Sequence, residues 1–477
     1  MSSEILSVGI DIGTSTTQVI FSKLRMENLA DYFSAPRISI VEKELVYKSN
    51  VHTTPLATPV LLDGPGVRKI VEEEYRKAGY SPADPDTGAV IITGESARKE
   101  NAALITEQLS SFAGEFVVST AGPDLESVIA GKGSGAFQYS MDHECTVVNL
   151  DIGGGTTNIV LFDHGQVKAK CCFDIGGRLI RLDGDGTVRS VSPAAKAVAE
   201  TVGVSLQPGR RASEQTLRAV TDKMAELLAQ AIGLAPTEPL LETVRTPNSA
   251  RQELQGRHIS RICFSGGVAD CIYNQEQNAL RYGDIGVLLG ASIRENRLLQ
   301  TCKTISAGET IRATVVGAGI YTTTISGSTI EYSEALFPMK NVPVLRLDLR
   351  EQQRCLDGET QWLREKAAWF LQQSGSDLLA LALPGKQDPT YGEVKRLAEC
   401  IVTALDAVLP AGKPVITVLE TDMAKALGLA MKLTADGKRK IAAIDGIRTE
   451  GNDYLDIGRP LMDGLVVPVA VKTLLFG

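Results

Sequence analysis

The chain has no CxxC pair, only four histidines and 5% aromatic residues. Its eight cysteines follow no ladder of spacings, which argues against a disulfide scaffold or a structural zinc site and fits free thiols in a reducing compartment. His52, His143, His164 and His258 lie far apart and lack metal-ligand spacing. Long hydrophobic runs are also missing. Leu465 to Phe476 is interrupted by Lys472 and is too short to span a bilayer. The opening Met-Ser-Ser-Glu lacks the basic segment and apolar run of a secretory signal, so the expectation is a soluble, cytoplasmic protein. Neither charge dominates: 49 basic against 57 acidic side chains give −8, which speaks against a general binder of nucleic acid or of an anionic membrane.

What is present is ordinary globular composition, 43% hydrophobic and 22% charged, so the chain is neither disordered nor collagen-like nor a coiled coil. A length of 477 residues calls for two or three domains. Ile5 to Ile12 and Gln18 to Phe21 read as strand, tight turn, strand. Residues 34 to 64 carry several prolines and predict loops and small strands. A helix is expected up to Gly79, with Glu72-Glu73-Glu74 as its wet face. A strand follows at 89–93 and a helix at about 96–111. A second strand-turn-strand unit spans Thr146 to Phe162. A long amphipathic helix at about 211–233 presents Leu217, Val220, Met224, Leu227 and Leu228 on one face. Residues 235–258 read as a loop, and Arg261 to Phe264 as a strand. After residue 305 the composition shifts, with a hairpin turn expected at Gly327-Ser328. Helices at about 360–373, 391–408 and 422–432 then alternate with strands at 415–419, 440–445 and 465–471, the pattern of another α/β domain.

Chemistry concentrates in two similar units, Val8-Gly-Ile-Asp-Ile-Gly-Thr-Ser-Thr-Thr-Gln18 and, about 140 residues later, Val148-Asn-Leu-Asp-Ile-Gly-Gly-Gly-Thr-Thr-Asn158. Each ends an apolar strand with Asp, then Gly, then hydroxyl residues. Glycine lets backbone N–H groups approach phosphate oxygens, and a carboxylate at a strand end can hold hydrated magnesium. A glycine hairpin closed by an Asp would explain one such unit; two are harder to dismiss. A third element, Ile262-Cys-Phe-Ser-Gly-Gly-Val268, offers a Gly pair against which a flat adenine and ribose could lie.

These three elements, in this order, resemble the superfamily of acetate and sugar kinases, heat-shock chaperones and actin. The resemblance implies an α/β, actin-like ATPase fold of two lobes followed by a further α/β region. The expected division is 1–145, 146–304 and 305–477. It implies ATP and Mg2+ as cofactors, with Asp11 and Asp151 holding the metal and the attacking water. Gly13, Thr14, Ser15, Thr16 and Thr17, with Gly153, Gly154, Gly155, Thr156 and Thr157, would cradle the phosphates, and Gly266 and Gly267 would face adenosine. Ala121 to Gly131 is similar to the first connecting helix, although Gly122 replaces the chaperones' Glu, and Tyr282 to Ala291 is similar to the second. Lys99 and Lys132 are the available candidates for a catalytic lysine, and a surface role suits both.

Over its whole length the chain resembles a narrower family, the ethanolamine ammonia-lyase reactivating factors of bacterial ethanolamine utilisation. The carrying segments are Gly308-Glu-Thr-Ile-Arg-Ala-Thr-Val-Val-Gly-Ala-Gly319, Ile325-Ser-Gly-Ser-Thr329, Asp456-Ile-Gly-Arg-Pro460 and Val467-Pro-Val-Ala-Val-Lys-Thr473. The resemblance implies an ATP-dependent chaperone, a slow ATPase, that frees adenosylcobalamin-dependent ethanolamine ammonia-lyase of damaged cobalamin. Its partner would be that lyase, with no nucleic acid and no membrane. Homo-oligomerisation is left open, as is association with the bacterial microcompartment of the pathway. The alternatives are a small-molecule kinase of the superfamily or an actin-like ATP-binding scaffold. Elsewhere, Gly317-Ala-Gly319 reads as a bulge or a close backbone crossing, Cys171-Cys172 as packed thiols, His143 as a surface loop residue, and Asp183 to Thr187 as a polar turn.

Overall fold

The computed structural model describes residues 2–14, 16–28, 38–58, 61–93, 96, 101–109, 112, 123–247, 249–250, 254–276, 278–321, 324–326, 329–449 and 453–473. Ser15, Lys99, Ala121, Gly122 and the expected turn at Gly327-Ser328 lie outside the described residues.

The first sheet grows from one long hairpin. β1 (Ser2–Ile12) and β2 (Thr16–Asn28) pair antiparallel from Ser2↔Glu27 to Ile12↔Thr17. β3 (Ile38–Lys48) adds to the outer edge of β2, and β4 (Thr87–Ile92) lies parallel to β1 on the other side. An 11-residue β3 occupies part of the stretch expected to hold loops and small strands; its charged run Glu42-Lys43-Glu44 is tolerated because β3 is the edge of the sheet. Helix α1 (Gly64–Ala78) starts where the Asp63 side chain accepts from the Gly66 amide, and it ends at Gly79 with φ 80°. Side chains alternate across a strand. Val8, Ile10 and Ile12 therefore pack on Val67, Val71 and Tyr75 of α1 and on Ile105 and Leu109 of α2 (Ala102–Leu109), while Gly9 and Asp11 take the opposite face.

One expectation for α1 is overturned. Glu74 is fully buried, not wet. Tyr47 donates to it at 2.6 Å, Lys77 at 2.6 Å, and His52 lies 2.9 Å away. Burial would raise its carboxyl, but the Lys77, Tyr47 and His52 contacts outweigh burial and hold it below the usual range. The i,i+1 run of acids hid a residue that the helix turns inward.

The second sheet repeats the first. β5 (Thr146–Ile152) and β6 (Thr157–Asp163) form the hairpin, β7 (Gln166–Phe173) extends it, and β8 (Arg261–Ser265) runs parallel to β5, followed by β9 (Lys303–Ile305). The register matches as well: Asp151 faces Asn158 as Asp11 faces Gln18. Val148, Leu150 and Ile152 point into a core built with α4 (Glu214–Ala231), whose expected apolar face is buried throughout.

The third sheet has order β10-β17-β16-β12-β13-β14-β15-β11. Its strands are β10 (Thr324–Ile325), β11 (Glu331–Tyr332), β12 (Met339–Arg346), β13 (Ala380–Leu383), β14 (Val415–Leu419), β15 (Ile441–Ile444), β16 (Asp453–Ile457) and β17 (Pro468–Thr473). β12 to β15 are mutually parallel, so the connections between them cross over through helices. Leu345, Leu381, Leu419 and Ile441 meet those helices on one face, and Val344, Ala382, Val418 and Ile444 pack with Leu455 and Val469 on the other. Two like-built lobes followed by an α/β region are the architecture the sequence predicts.

The helix linking the lobes differs from expectation. α3 (Pro123–Gly133), within the stretch expected to be the first connecting helix, packs against β5 to β7. Its partner, however, is α7 (Ala313–Tyr321), not the helix at Gly286–Glu295. That helix, α6 (Gly286–Glu295), packs within the second lobe on α4 and on α5 (Ala269–Tyr273). The Thr, Val and Ile of Ala313–Tyr321 favour strands, yet the segment is a helix. Glycine explains why it is a helix in close contact: a Cβ on Gly317 would sit 2.0 Å from the Ile129 carbonyl oxygen. The close crossing expected at Gly317 and Gly319 is real: Gly317 meets Ile129 of α3, and Gly319 lies against Gly9 of β1.

Candidate nucleotide cleft

Both hairpin turns are built alike. The Gly13 amide donates to the Thr16 carbonyl at 2.8 Å, and the Gly153 amide to the Thr156 carbonyl at 2.9 Å. The first turn is pinned from behind by Thr54 and Ser96, whose hydroxyls donate to the Gly13 carbonyl at 2.8 and 2.9 Å. The second is braced by residues 177–178, where the Arg178 amide reaches the Gly154 carbonyl at 2.7 Å and the Gly177 amide the Gly153 carbonyl at 3.0 Å. The turns open onto one cleft of about 340 Å³ between the lobes, a volume suited to a small organic ligand.

Asp11, Gly13, Thr14 and Thr16 line this cleft together with Asp151, Gly153, Gly154, Gly155, Thr156, Gly266 and Gly267. Two residues of the expected set do not. Thr17 is buried and its hydroxyl shares a hydrogen bond with Thr54 at 3.1 Å; Thr157 is buried and donates to the Ile175 carbonyl at 2.7 Å. Strand alternation turns both side chains away from the turn and into the framework. The Gly pair also divides its work. Gly266 has φ 84° and a Cβ there would lie 2.4 Å from the Ile152 carbonyl oxygen, so it is required by the strand end. Gly267 faces open space, with Ile311 Cδ1 at 4.0 Å.

The two carboxylates are buried and held by neutral donors. Thr93, at the end of β4, donates to Asp11 Oδ1 at 3.1 Å. Ser265, at the end of β8, donates to Asp151 Oδ1 at 2.7 Å, and Thr314 of α7 reaches Asp151 Oδ2 at 3.4 Å. Burial pushes the Asp11 carboxyl up to about 7; the Thr93 bond opposes this and the Asp151 charge adds to it. Burial likewise pushes Asp151 up to about 6 against hydrogen bonds from Ser265, Thr314 and Asn158. Two buried acids with no cation beside them are costly. The carboxamides opposite them carry the complementary signal. Gln18 Nε2 donates to the Ile311 carbonyl at 3.2 Å, while Gln18 Oε1 and Asn158 Oδ1 are buried without a hydrogen-bond partner. An all-oxygen donor set with orphaned acceptors fits a hydrated hard cation such as Mg2+.

Sequence reasoning missed Thr93, Ser265 and Thr314. Each sits at the end of an element far along the chain from the carboxylate it serves. It also missed the cleft's outer wall, where Val51, Val268, Ile311 and the half-exposed Tyr282 stand near the Arg178–Asp284 ion pair of 3.3 Å. Ile311 and Thr314 belong to the segment 308–319 that set this chain apart from a generic kinase. No lysine lines the cleft among the described residues; Lys132 lies over the Phe137 ring at 5.2 Å instead.

Among the described residues no helix is long and apolar enough to cross a membrane. The family described as ethanolamine utilisation protein EutA matches residues 3–477. Two relatives, each described as ethanolamine ammonia-lyase reactivase EutA, come from Salmonella typhimurium and Escherichia coli. The first is 37% identical over 476 residues and the second 37% over 477, each covering 99% of both chains. The Aquifex aeolicus PPX-GPPA enzyme overlays on 66% of this chain and 99% of its own, at a TM-score of 0.40 and 15% identity. A match that runs from end to end, at this identity, assigns the chain: it belongs to the ethanolamine utilisation protein EutA family.

Proposed function

We propose that this protein reactivates ethanolamine ammonia-lyase and that the nucleotide state of its cleft sets how tightly it grips the lyase. The observation that carries the reading is the full-length identity of 37% to two reactivases of that enzyme. The cleft supplies the means. Asp11 and Asp151 would hold Mg2+ through its waters, the backbone amides at Thr14 and at Gly154 to Thr156 would take phosphate oxygens, and Gly267, Ile311 and Tyr282 would receive the base and ribose. MgATP, when bound, would supply phosphoryl chemistry and charge. The chain's own residues position it, neutralise it and keep water ordered beside Asp11 and Asp151. Because the cleft is lined from both hairpins and from α7, its contents bias the angle between the lobes. A partner that prefers one angle is then bound or released with the nucleotide cycle. The open lyase conformation would let damaged cobalamin leave and intact coenzyme enter. Action beside the ethanolamine-utilisation microcompartment is part of the same proposal.

The test is recovery of activity. Ethanolamine ammonia-lyase carrying an inert cobalamin is given adenosylcobalamin, Mg2+ and this protein, with and without ATP. Recovery that needs both ATP and an intact Asp11 is expected. No recovery by folded, ATP-binding protein would reject the reading and leave a kinase or scaffold of the same fold.

A further inference from the structure

Thr329 does not line the nucleotide cleft. It stands at the third sheet, at the carboxyl ends of parallel strands β14 and β15. There the Thr329 hydroxyl lies within hydrogen-bond reach of both Asp422 Oδ1 and Asp445 Oδ2. Asp445 directly follows β15, and Asp422 lies three residues beyond β14. A threonine hydroxyl has one proton, so it can satisfy only one of these oxygens. The two carboxylates converge on one side-chain proton.

A second observation is independent of that convergence. Asp445 is 1% exposed, and its other oxygen, Oδ1, is buried without a hydrogen-bond partner. Both oxygens share one carbon, so the orphan lies at the same point as the contested hydroxyl. A fully buried carboxylate oxygen with no donor is costly unless a proton or a cation stands beside it. Burial raises the Asp445 carboxyl; the Thr329 bond and the backbone amides of Ala424 and Asp445 oppose this, and the Asp422 charge adds to it. Asp422 is exposed, which gives the point an opening to solvent.

We propose that Thr329, Asp422 and Asp445 form a divalent-cation site, separate from the nucleotide cleft, that takes a hard ion such as Mg2+ or Ca2+. The donors are all oxygen, their number is small, and water at the Asp422 side completes the shell, as hard cations prefer. The position agrees with the general placement of ligands outside the carboxyl ends of parallel strands. The cation would tie the segment before β11 to β14 and β15, joining residues more than 90 positions apart in sequence.

Mn2+ alone, without nucleotide, is the probe, and the full chain is titrated while free Mn2+ is followed by its paramagnetic resonance signal. The unmutated chain, Asp422→Asn, and Asp11→Asn combined with Asp151→Asn are compared, each checked for folding by circular dichroism. The expected result is one Mn2+ retained after loss of the two cleft carboxylates, and a loss of about tenfold or more in affinity for that ion in Asp422→Asn. Ca2+ should compete for it. Equal Mn2+ uptake by Asp422→Asn and the unmutated chain overturns the proposal, as does an absence of uptake at millimolar Mn2+ once the cleft carboxylates are gone. In that event a proton on Asp445 balances the charge. Asp445→Asn is a second variant; if it does not fold, exposed Asp422 decides alone.

Discussion

Gly133 of α3 and Ala313 of α7 meet backbone to backbone: a Cβ on the glycine would lie 1.8 Å from the alanine carbonyl oxygen. The next residue, Ser134, donates to Asn149 Oδ1 at 2.9 Å, Asn149 Nδ2 donates to Ser265 at 3.0 Å, and Ser265 donates to Asp151 at 2.7 Å. The helix crossing and the cleft carboxylate are thus joined by an unbroken line of buried polar contacts.

Gly133→Ala forces the two helices apart and is expected to cost about 2 kcal/mol or more, because backbone cannot yield as a flexible side chain does. Gly184→Ala is the control, since nothing lies within 4 Å of a Cβ there and its φ is not in the left-handed region. That control should stay within about 0.5 kcal/mol of the parent. Denaturant melts read both, and similar midpoints for the two variants would remove the crossing from the account.

Proton uptake at the cleft gives a pH prediction with a definite sign. Asp11 and Asp151 are raised to about 7 and about 6 in the folded protein, above the ordinary carboxyl value of 3.8. The folded chain therefore binds more protons than the unfolded one in between, and the ligand-free protein loses stability as pH rises from about 4 to about 7. Mg2+ needs the ionised pair, so the rise in melting temperature on adding Mg2+ should be larger at about pH 8 than at about pH 5. Thr93→Ala removes a bond that lowers the Asp11 carboxyl and should move the Mg2+ response to higher pH, with Thr93→Ser restoring it.

Much of this arrangement was legible in the sequence, and the division is physical. The hairpins could be read because Asp, Gly and Thr are fixed by local needs: a strand end, a turn, a backbone approach. Helices such as 214–231 and 391–406 announced themselves by apolar spacing. Ala313–Tyr321 did not, because its helical state is imposed by packing against α3 and β1, which overrides the strand preference of Thr, Val and Ile. Thr93 and Ser265 were silent because a single hydroxyl at a strand end has no pattern; only the parallel pairing of β4 with β1 and β8 with β5 brings them to the carboxylates. Glu74 was misread because three consecutive acids look alike until the helix phase is known.

Glu74→Ala should destabilise the first lobe by about 2 kcal/mol, since it leaves Tyr47 and His52 without their shared acceptor. The Glu74 carboxyl is held low, so its contribution is present above the unfolded value of 4.5 and is lost as pH falls through the lower folded value. The gap between parent and variant should therefore narrow in acid, and a gap that stays constant down to about pH 2 would contradict this.

Tyr282 offers a half-exposed ring among the residues that line the cleft with Gly267 and Ile311. Tyr282→Ala is expected to weaken ATP binding about tenfold, the effect of losing one aromatic stack. Mg2+ binding without nucleotide should be untouched. Calorimetry with ATP and with Mg2+ alone separates the two.

Ile5, Ile20, Leu24 and Met26 from the first hairpin share their core with Val315, Val316 and Val466. On a ribosome the hairpin emerges well before the residues that cover its second face. Until Val466 has cleared the exit tunnel, this apolar flank stays open to any hydrophobic surface that passes. The first lobe can begin to form early, but it closes only after a residue more than 400 positions downstream has been added.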